Sequence, residues 1–194
     1  MRLDVTDDNA VKRAFEAANA QCGPVSLLVA SHGIRGAFVP AVQLDLDRVR
    51  RVLDVHIVGT LVVANALARS VRATGNGGSI VTVSLTTAYR GWARQADYGV
   101  AKAGVRQLTE NLAIEWARWG IRVNSVAPGH TLTPMVQGML ESGYDLSEVE
   151  ARTPLGRLAS PDEQARCVEH LLLDATFVTG VCLPVDGGWT TVGK

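Results

Sequence analysis

The apolar positions of this 194-residue chain alternate between short runs and helical stripes. Residues 3–5 read as the remnant of a strand, and 8–21 repeat their apolar positions with helical period. A short apolar run at 26–30 reads as a buried strand. Val49, Val52, Leu53 and Ile57 share one face of a long helix predicted over 45–74. Gly75-Asn76-Gly77-Gly78 is a turn, and 79–84 is the next strand. A second long helix is predicted over 95–119, stopped by Gly120, and a strand over 121–127, closed by Pro128-Gly129. Residues 131–158 read as an irregular lid with one or two short helices. Ser160-Pro161-Asp162-Glu163 starts a helix that runs to about residue 174, and 181–185 form a last strand.

This alternation predicts an α/β fold, a doubly wound parallel sheet with helices on both faces. The pattern shows no repeats or linkers, so residues 1–194 are expected to be a single domain. Ligands of such sheets bind beyond the carboxyl ends of the strands. Asp4, Ser31, Ser84 and Pro128-Gly129 all fall at such ends.

Composition narrows the choice. The chain is 47% hydrophobic and 20% charged, with zero formal net charge and no basic clustering. Nucleic acid and membrane surfaces are therefore not expected as partners. No apolar run of about 18 residues and no leader-like segment stands out. Cys22, Cys167 and Cys182 are far apart and read as thiols in a reducing compartment, which points to a cytoplasmic protein. Neither they nor His32, His56, His130 and His170 have metal-ligand spacing, so no metal is expected.

Tyr98 and Lys102 stand one helical turn apart, on one face of the helix predicted over 95–119. An ammonium beside a phenol favours the phenolate, so the spacing predicts a lowered tyrosine pKa and a proton donor or acceptor. With three lysines and three tyrosines in the chain, such a pair arises by chance roughly once in twenty chains. Alone it is a weak signal, equally readable as an amphipathic helix with a surface lysine.

The residues that follow strengthen it. Leu3-Asp4-Val5-Thr6-Asp7, Tyr98-x-x-x-Lys102, Ile121-Arg122-Val123-Asn124-Ser125-Val126-Ala127-Pro128-Gly129 with Thr133-Pro134-Met135, and Thr179-Gly180 with Val185-Asp186-Gly187-Gly188-Trp189 occur in order along nearly the whole chain. In this the chain resembles the short-chain dehydrogenase/reductase family. The resemblance implies a Rossmann-like fold and hydride transfer between NAD or NADP and a small carbonyl or secondary alcohol. It implies Tyr98 and Lys102 as the catalytic pair, with Asp4, Val5, Ser31, Gly33, Tyr98, Lys102, Pro128, Gly129, Thr131 and Thr133 lining the cofactor cleft. Substrate would lie over 86–92, under the lid, with His130 as a substrate contact and His32 as a spacer. Pairing through the long helices implies a homodimer or homotetramer.

Three departures from the family pattern qualify this. First, its opening strand and Thr-Gly-x-x-x-Gly-x-Gly turn are not in this chain, which starts within what would be the third strand; roughly fifty residues of the pattern, including the first two strands, are not represented. The expectation is a native start upstream of Met1, with a genuine short form as the alternative. The 194-residue form is expected to bind dinucleotides weakly or not at all, and the strand at 26–30 is expected to have a bare apolar edge. Second, Leu85 falls where the family has its catalytic serine, leaving Ser84 or Thr86 as substitute hydroxyls. Adjacent strand residues point to opposite sides, which works against substitution; Ser84 is nevertheless placed in the catalytic set. Third, Ala30-Ser31-His32-Gly33 replaces Asn-Asn-Ala-Gly, and His56 replaces the helix asparagine, where an imidazole could relay protons or simply pack; His56 is placed in the catalytic set, in the proton-relay position. The main expectation is an NAD(P)-dependent oxidoreductase. The alternatives are a non-redox enzyme (isomerase, dehydratase or cyclase) and a catalytically inactive binding subunit.

Overall fold

A computed structural model of the chain describes residues 2–193 apart from 142 and 144. Four parallel strands, β1 (Leu27–Ala30), β2 (Gly78–Val83), β3 (Ile121–Pro128) and β4 (Cys182–Val185), lie side by side in chain order. The register sets Thr82 beside Ser125 and Val83 beside Val126, which brings the carboxyl ends of β2 and β3 level. Pro128 pairs with Val185, so the end of β4 joins the same rim.

Before β1 comes α1 (Asp8–Cys22), capped by the Asp7 carboxylate, which accepts from the Ala10 amide at 2.9 Å. Between β1 and β2 one continuous helical stretch runs through α2 (Leu46–Leu53), a π turn (Asp54–Val58) and α3 (Gly59–Thr74). Between β2 and β3 lies α4 (Ala96–Trp116). The lid carries α5 (Pro134–Glu141) and α6 (Ser147–Arg152). Next comes α7 (Pro161–Glu169), with the Ser160–Glu163 capping box and proline in its first turn, followed by a second π turn (His170–Asp174).

Period-two alternation along the strands distributes the core between two faces. Ile80 and Val123 pack with Leu67, Val71, Leu112 and Trp116 of α3 and α4. Val81 and Val126 pack on the other face with Leu171 and Ala175. The π turn at 170–174 redirects its carbonyls, and the Arg122 guanidinium donates to those of Leu171 and Leu172 at 2.7 and 2.8 Å. Buried Asn124 ties β3 to the approach of β4, donating to the Val178 carbonyl at 2.9 Å and accepting from the Val181 amide at 3.2 Å.

Two expectations need correction. The stretch at 3–5 forms no strand: the Asp4 carboxylate instead accepts from the Thr6 amide and hydroxyl, which closes a local turn. Among the described residues no strand pairs with it, local bonds hold this backbone, and Val5 packs with Val11, Ala30 and Val63. Furthermore, the helical stretch Leu46–Thr74 has the length and mean hydropathy, 1.5, of a membrane span, with half of its most apolar window buried. That burial, against the sheet and α4, is the pattern of a core helix. The edge of β1 is open as expected, with Leu27 46% and Val29 42% exposed.

Candidate active site

Tyr98 and Lys102 sit in the first two turns of α4, beside the carboxyl end of β2. The Tyr98 ring meets the His56 ring edge-on, with centroids 5.3 Å apart. The Lys102 Nζ donates to the Val83 carbonyl at 2.8 Å and stands 5.6 Å from the Tyr98 ring centroid. An ammonium has three donors, so this single protein partner, among the described residues, leaves N–H groups free for a ligand. Burial raises the Tyr98 phenol above its ordinary pKa and brings Lys102 down to about 8. The expected lowering of Tyr98 by Lys102 is therefore not found: the lysine is buried and turned to the strand carbonyl, and loss of solvent dominates both groups.

Asp97, absent from the sequence reading, holds this corner together. Its buried carboxylate accepts from the Tyr98 amide and from the Ala37 amide, both at 2.8 Å. The one signal in the sequence was an acid in the first turn of the helix; its partner sixty residues earlier could not be read there. Gly36 lies so close that a Cβ would stand 2.8 Å from the Cβ of Tyr98.

The π turn sets His56 into the same corner, 1% exposed. Its Nε2 is 2.9 Å from the Ile34 carbonyl and 3.2 Å from the Ile34 amide, so it serves one or the other according to tautomer. Either choice commits that nitrogen to the loop after β1. Its backbone carbonyl accepts the Thr60 hydroxyl at 2.6 Å, and that hydroxyl also lies 3.3 Å from His32 Nε2. Burial first, and the Lys102 charge with it, lowers the pKa of both imidazoles and favours their neutral forms.

Ser84 is corrected. Its hydroxyl is buried and donates to the Lys102 backbone carbonyl at 2.8 Å, which fastens strand to helix and occupies its one proton. Leu85 leaves the strand with extended backbone at φ −164° and leads into a tight turn at Thr86–Ala88. Thr86 and Thr87 are both buried there.

The remaining expected residues divide between contacts and packing. Gly129 is buried against Asp186, where an added Cβ would stand 2.7 Å from the Asp186 Cα, so only glycine lets the two turns meet. The Thr131 hydroxyl donates to the Gly129 carbonyl, and the Thr133 hydroxyl accepts from the Val136 amide at the start of α5. Pro128 is half-buried at the end of β3. Ser31 and Gly33 are exposed, and Gly33 lies against His56, whose Cε1 would be 2.5 Å from an added Cβ. Asp4 is exposed and engaged with Thr6 and Arg51, while Val5 packs against Gly59. His130 lies with Trp92 and Trp189 on the lid side. Among the described residues no cluster of His, Cys, Asp or Glu is arranged to hold a metal.

The residues present suit the nicotinamide-ribose end of a dinucleotide, with free donors on Lys102 and a strand-end rim made by Pro128, Gly129 and Thr133. No glycine-rich turn for the pyrophosphate occurs within these residues.

A doubly wound sheet with a Tyr–Lys helix face at its carboxyl rim defines a dinucleotide-type oxidoreductase fold. The comparisons give the family. Residues 1–190 match the family model described as enoyl-(acyl carrier protein) reductase. The chain is 40% identical over 193 residues to the cis-4-hydroxycyclohexanecarboxylate dehydrogenase of Sinomonas cyclohexanicum, covering 99% of this chain and 76% of that protein. It is 32% identical to the 2,5-dichloro-2,5-cyclohexadiene-1,4-diol dehydrogenase of Sphingobium indicum, covering 98% of this chain and 77% of that one. The gluconate 5-dehydrogenase of Burkholderia cenocepacia, solved in complex with NADP and tartrate, superposes with a TM-score of 0.88 at 29% identity, over 98% of this chain and 74% of that one. The chain belongs to the short-chain dehydrogenase/reductase family, and the relatives named here are dehydrogenases, one of them solved with NADP.

Proposed function

We propose that this chain interconverts a secondary alcohol on a small ring and the corresponding ketone, with Tyr98 moving the proton. The observation that carries the reading is the helix face on which the Tyr98 phenol and the Lys102 ammonium stand together at the strand-end rim. The names of the Sinomonas and Sphingobium relatives support a ring alcohol, and the exposed indole of Trp92, stacked on Trp189, offers apolar surface.

The nicotinamide cofactor supplies or accepts the hydride when bound. Tyr98 donates its phenolic proton to the ketone oxygen in one direction and accepts it from the alcohol in the other. Lys102, with N–H groups left free beside its bond to the Val83 carbonyl, would hold the cofactor ribose. Asp97 keeps the phenol in place by fixing the turn that carries it. Affinity of the 194-residue form for NADH or NADPH is expected near the millimolar range, about 4 kcal/mol, because these residues hold no pyrophosphate turn. The test is oxidation of NADH or NADPH with cyclohexanone, at cofactor concentrations above that range. No oxidation with either cofactor, in a chain that does bind it, removes the reading.

One observation favours a second reading. Leu85 has no donor for a carbonyl oxygen and the Ser84 hydroxyl is spent on Lys102. A non-redox reaction that uses the Tyr98–Lys102 pair alone tolerates that gap. Such turnover without a change in nicotinamide absorbance would establish it.

The chain is also proposed to work as a homodimer or homotetramer. Val58 (48% exposed), Val100 (58%) and Ile114 (80%) leave apolar surface on the two long helices. Light scattering showing a monomer at about tens of micromolar would refute this.

A further inference from the structure

The lid side of the cleft carries an unusual run of rings ending in a cation. Trp92 follows β2, His130 follows β3 and Trp189 follows β4, so three strand ends contribute one ring each. Trp92 and Trp189 stack with centroids 5.5 Å apart, and His130 lies 5.5 Å from the first and 6.3 Å from the second. Trp189 is only 5% exposed, whereas Trp92 is 41% exposed and presents open indole surface. Arg152, the last residue of α6 in the lid, lays its guanidinium 4.2 Å from the Trp189 ring centroid.

The other charges here are already paired or bonded. Arg157 forms a two-armed ion pair with Glu163 at 2.7 and 2.9 Å. Arg90 donates to the Thr190 carbonyl at 3.0 Å. The two Asp186 oxygens accept from the Gly188 and Thr190 amides. Arg152, among the described residues, has neither a carboxylate partner nor a carbonyl acceptor, only the indole. A guanidinium lying over a ring keeps its N–H edge free, and that edge matches a carboxylate with two parallel hydrogen bonds.

We propose that Arg152 is a specificity-determining residue that selects a carboxylate carried on the substrate ring, while the ring itself packs against Trp92. The inference rests on the ring-alcohol reading for its substrate, and its physical content is a ring acid held between an indole and a guanidinium.

The test is binding, read from indole fluorescence of the 194-residue chain without cofactor. The probes are cyclohexanecarboxylate and its neutral counterpart cyclohexylmethanol. The carboxylate is expected to bind about tenfold tighter or more. Arg152→Gln should bring the two probes to parity by weakening the carboxylate alone, and Arg152→Lys should keep part of the preference. Equal binding of both probes by the unsubstituted chain overturns the proposal. So does an Arg152→Gln chain that loses affinity for both equally, which would make Arg152 a latch between lid and Trp189. Should the Gln variant fail to fold, the two-probe comparison in the unsubstituted chain still decides. Oxidation of NADH or NADPH with cyclohexanone, measured separately, tells the two readings apart. Carboxylate preference without oxidation, in a chain that binds the cofactor, retains the anion site and removes the dehydrogenase reading, whereas oxidation without preference does the reverse.

Discussion

The helix-borne and strand-borne halves of the cleft differ sharply. On α4, Tyr98, Lys102 and Asp97 form a connected set: one carboxylate fixes the turn, one carbonyl holds the ammonium, and the phenol meets His56 edge-on. At the end of β2 the corresponding donor is missing. Ser84 faces α4, the Leu85 side chain carries no polar atom, and the Thr87 hydroxyl is buried with no partner among the described residues. On the proposed reading, acid–base machinery and carbonyl-oxygen stabilisation are separable parts of such a site. The first needs two residues one turn apart on a helix. The second needs one residue at one exact-sided strand position, and a single step along the strand reverses its direction.

The largest effect should come from breaking the helix half. Tyr98→Phe is expected to lower ring-ketone turnover by about 10³-fold with the melting temperature unchanged, read by nicotinamide absorbance and thermal unfolding. Retention of wild-type turnover would show that the two halves were assigned wrongly.

Lys102 sharpens the same half through pH. Its folded pKa of about 8 lies below that of an unfolded lysine, so its burial is a penalty in acid and neutral solution. The penalty is fully present below pH 8 and is relieved as pH rises toward the unfolded value of about 10.4, because the unfolded chain binds more protons across that window. Across it the wild type should gain roughly 3 kcal/mol relative to Lys102→Met. Denaturant melts of both proteins at several pH values measure this, and parallel curves would mean the lysine is not buried in solution.

Repairing the strand half should have the next effect. Leu85→Ser restores a donor at the position matching the family's serine and should raise turnover by up to about 10²-fold. Its opposing cost is lost apolar burial, roughly 1–3 kcal/mol of stability. A folded Leu85→Ser chain that loses activity would make Leu85 a substrate contact and would favour the non-redox reading.

The smallest effect joins the halves to the loop after β1. Gly33→Ala places a methyl 2.5 Å from His56 Cε1. The expected destabilisation is about 1–3 kcal/mol, and it should largely vanish in a His56→Ala background. Equal losses in both backgrounds would refute the contact.

Much of the architecture was legible in the chain. The strand runs at 26–30, 79–84, 121–127 and 181–185 each fall within a residue or so of an observed strand. The long helices were legible for the same reason, since their apolar stripes repeat over several turns. The π turn at Asp54–Val58 was not, because one extra residue per turn leaves the apolar stripe nearly unchanged. The strand expected at 3–5 failed for a different reason. A three-residue run carries too little pattern to form a strand by itself, and among the described residues no strand pairs with it.

For the site, the sequence by itself determined which residues share the α4 face, because helical spacing is a local property of neighbours in the chain. It also determined that Leu85 carries no donor, since that is a property of the residue alone. Only the tertiary structure decided how each polar group is spent. Ser84 turned to the Lys102 carbonyl, Asp97 to the Ala37 amide and His56 to Ile34. Burial moved the Lys102 and Tyr98 pKa values in the opposite sense to the one expected for an exposed pair. Those outcomes depend on partners 18 to 60 residues away and on the water excluded between them, and the order of residues along the chain encodes neither directly.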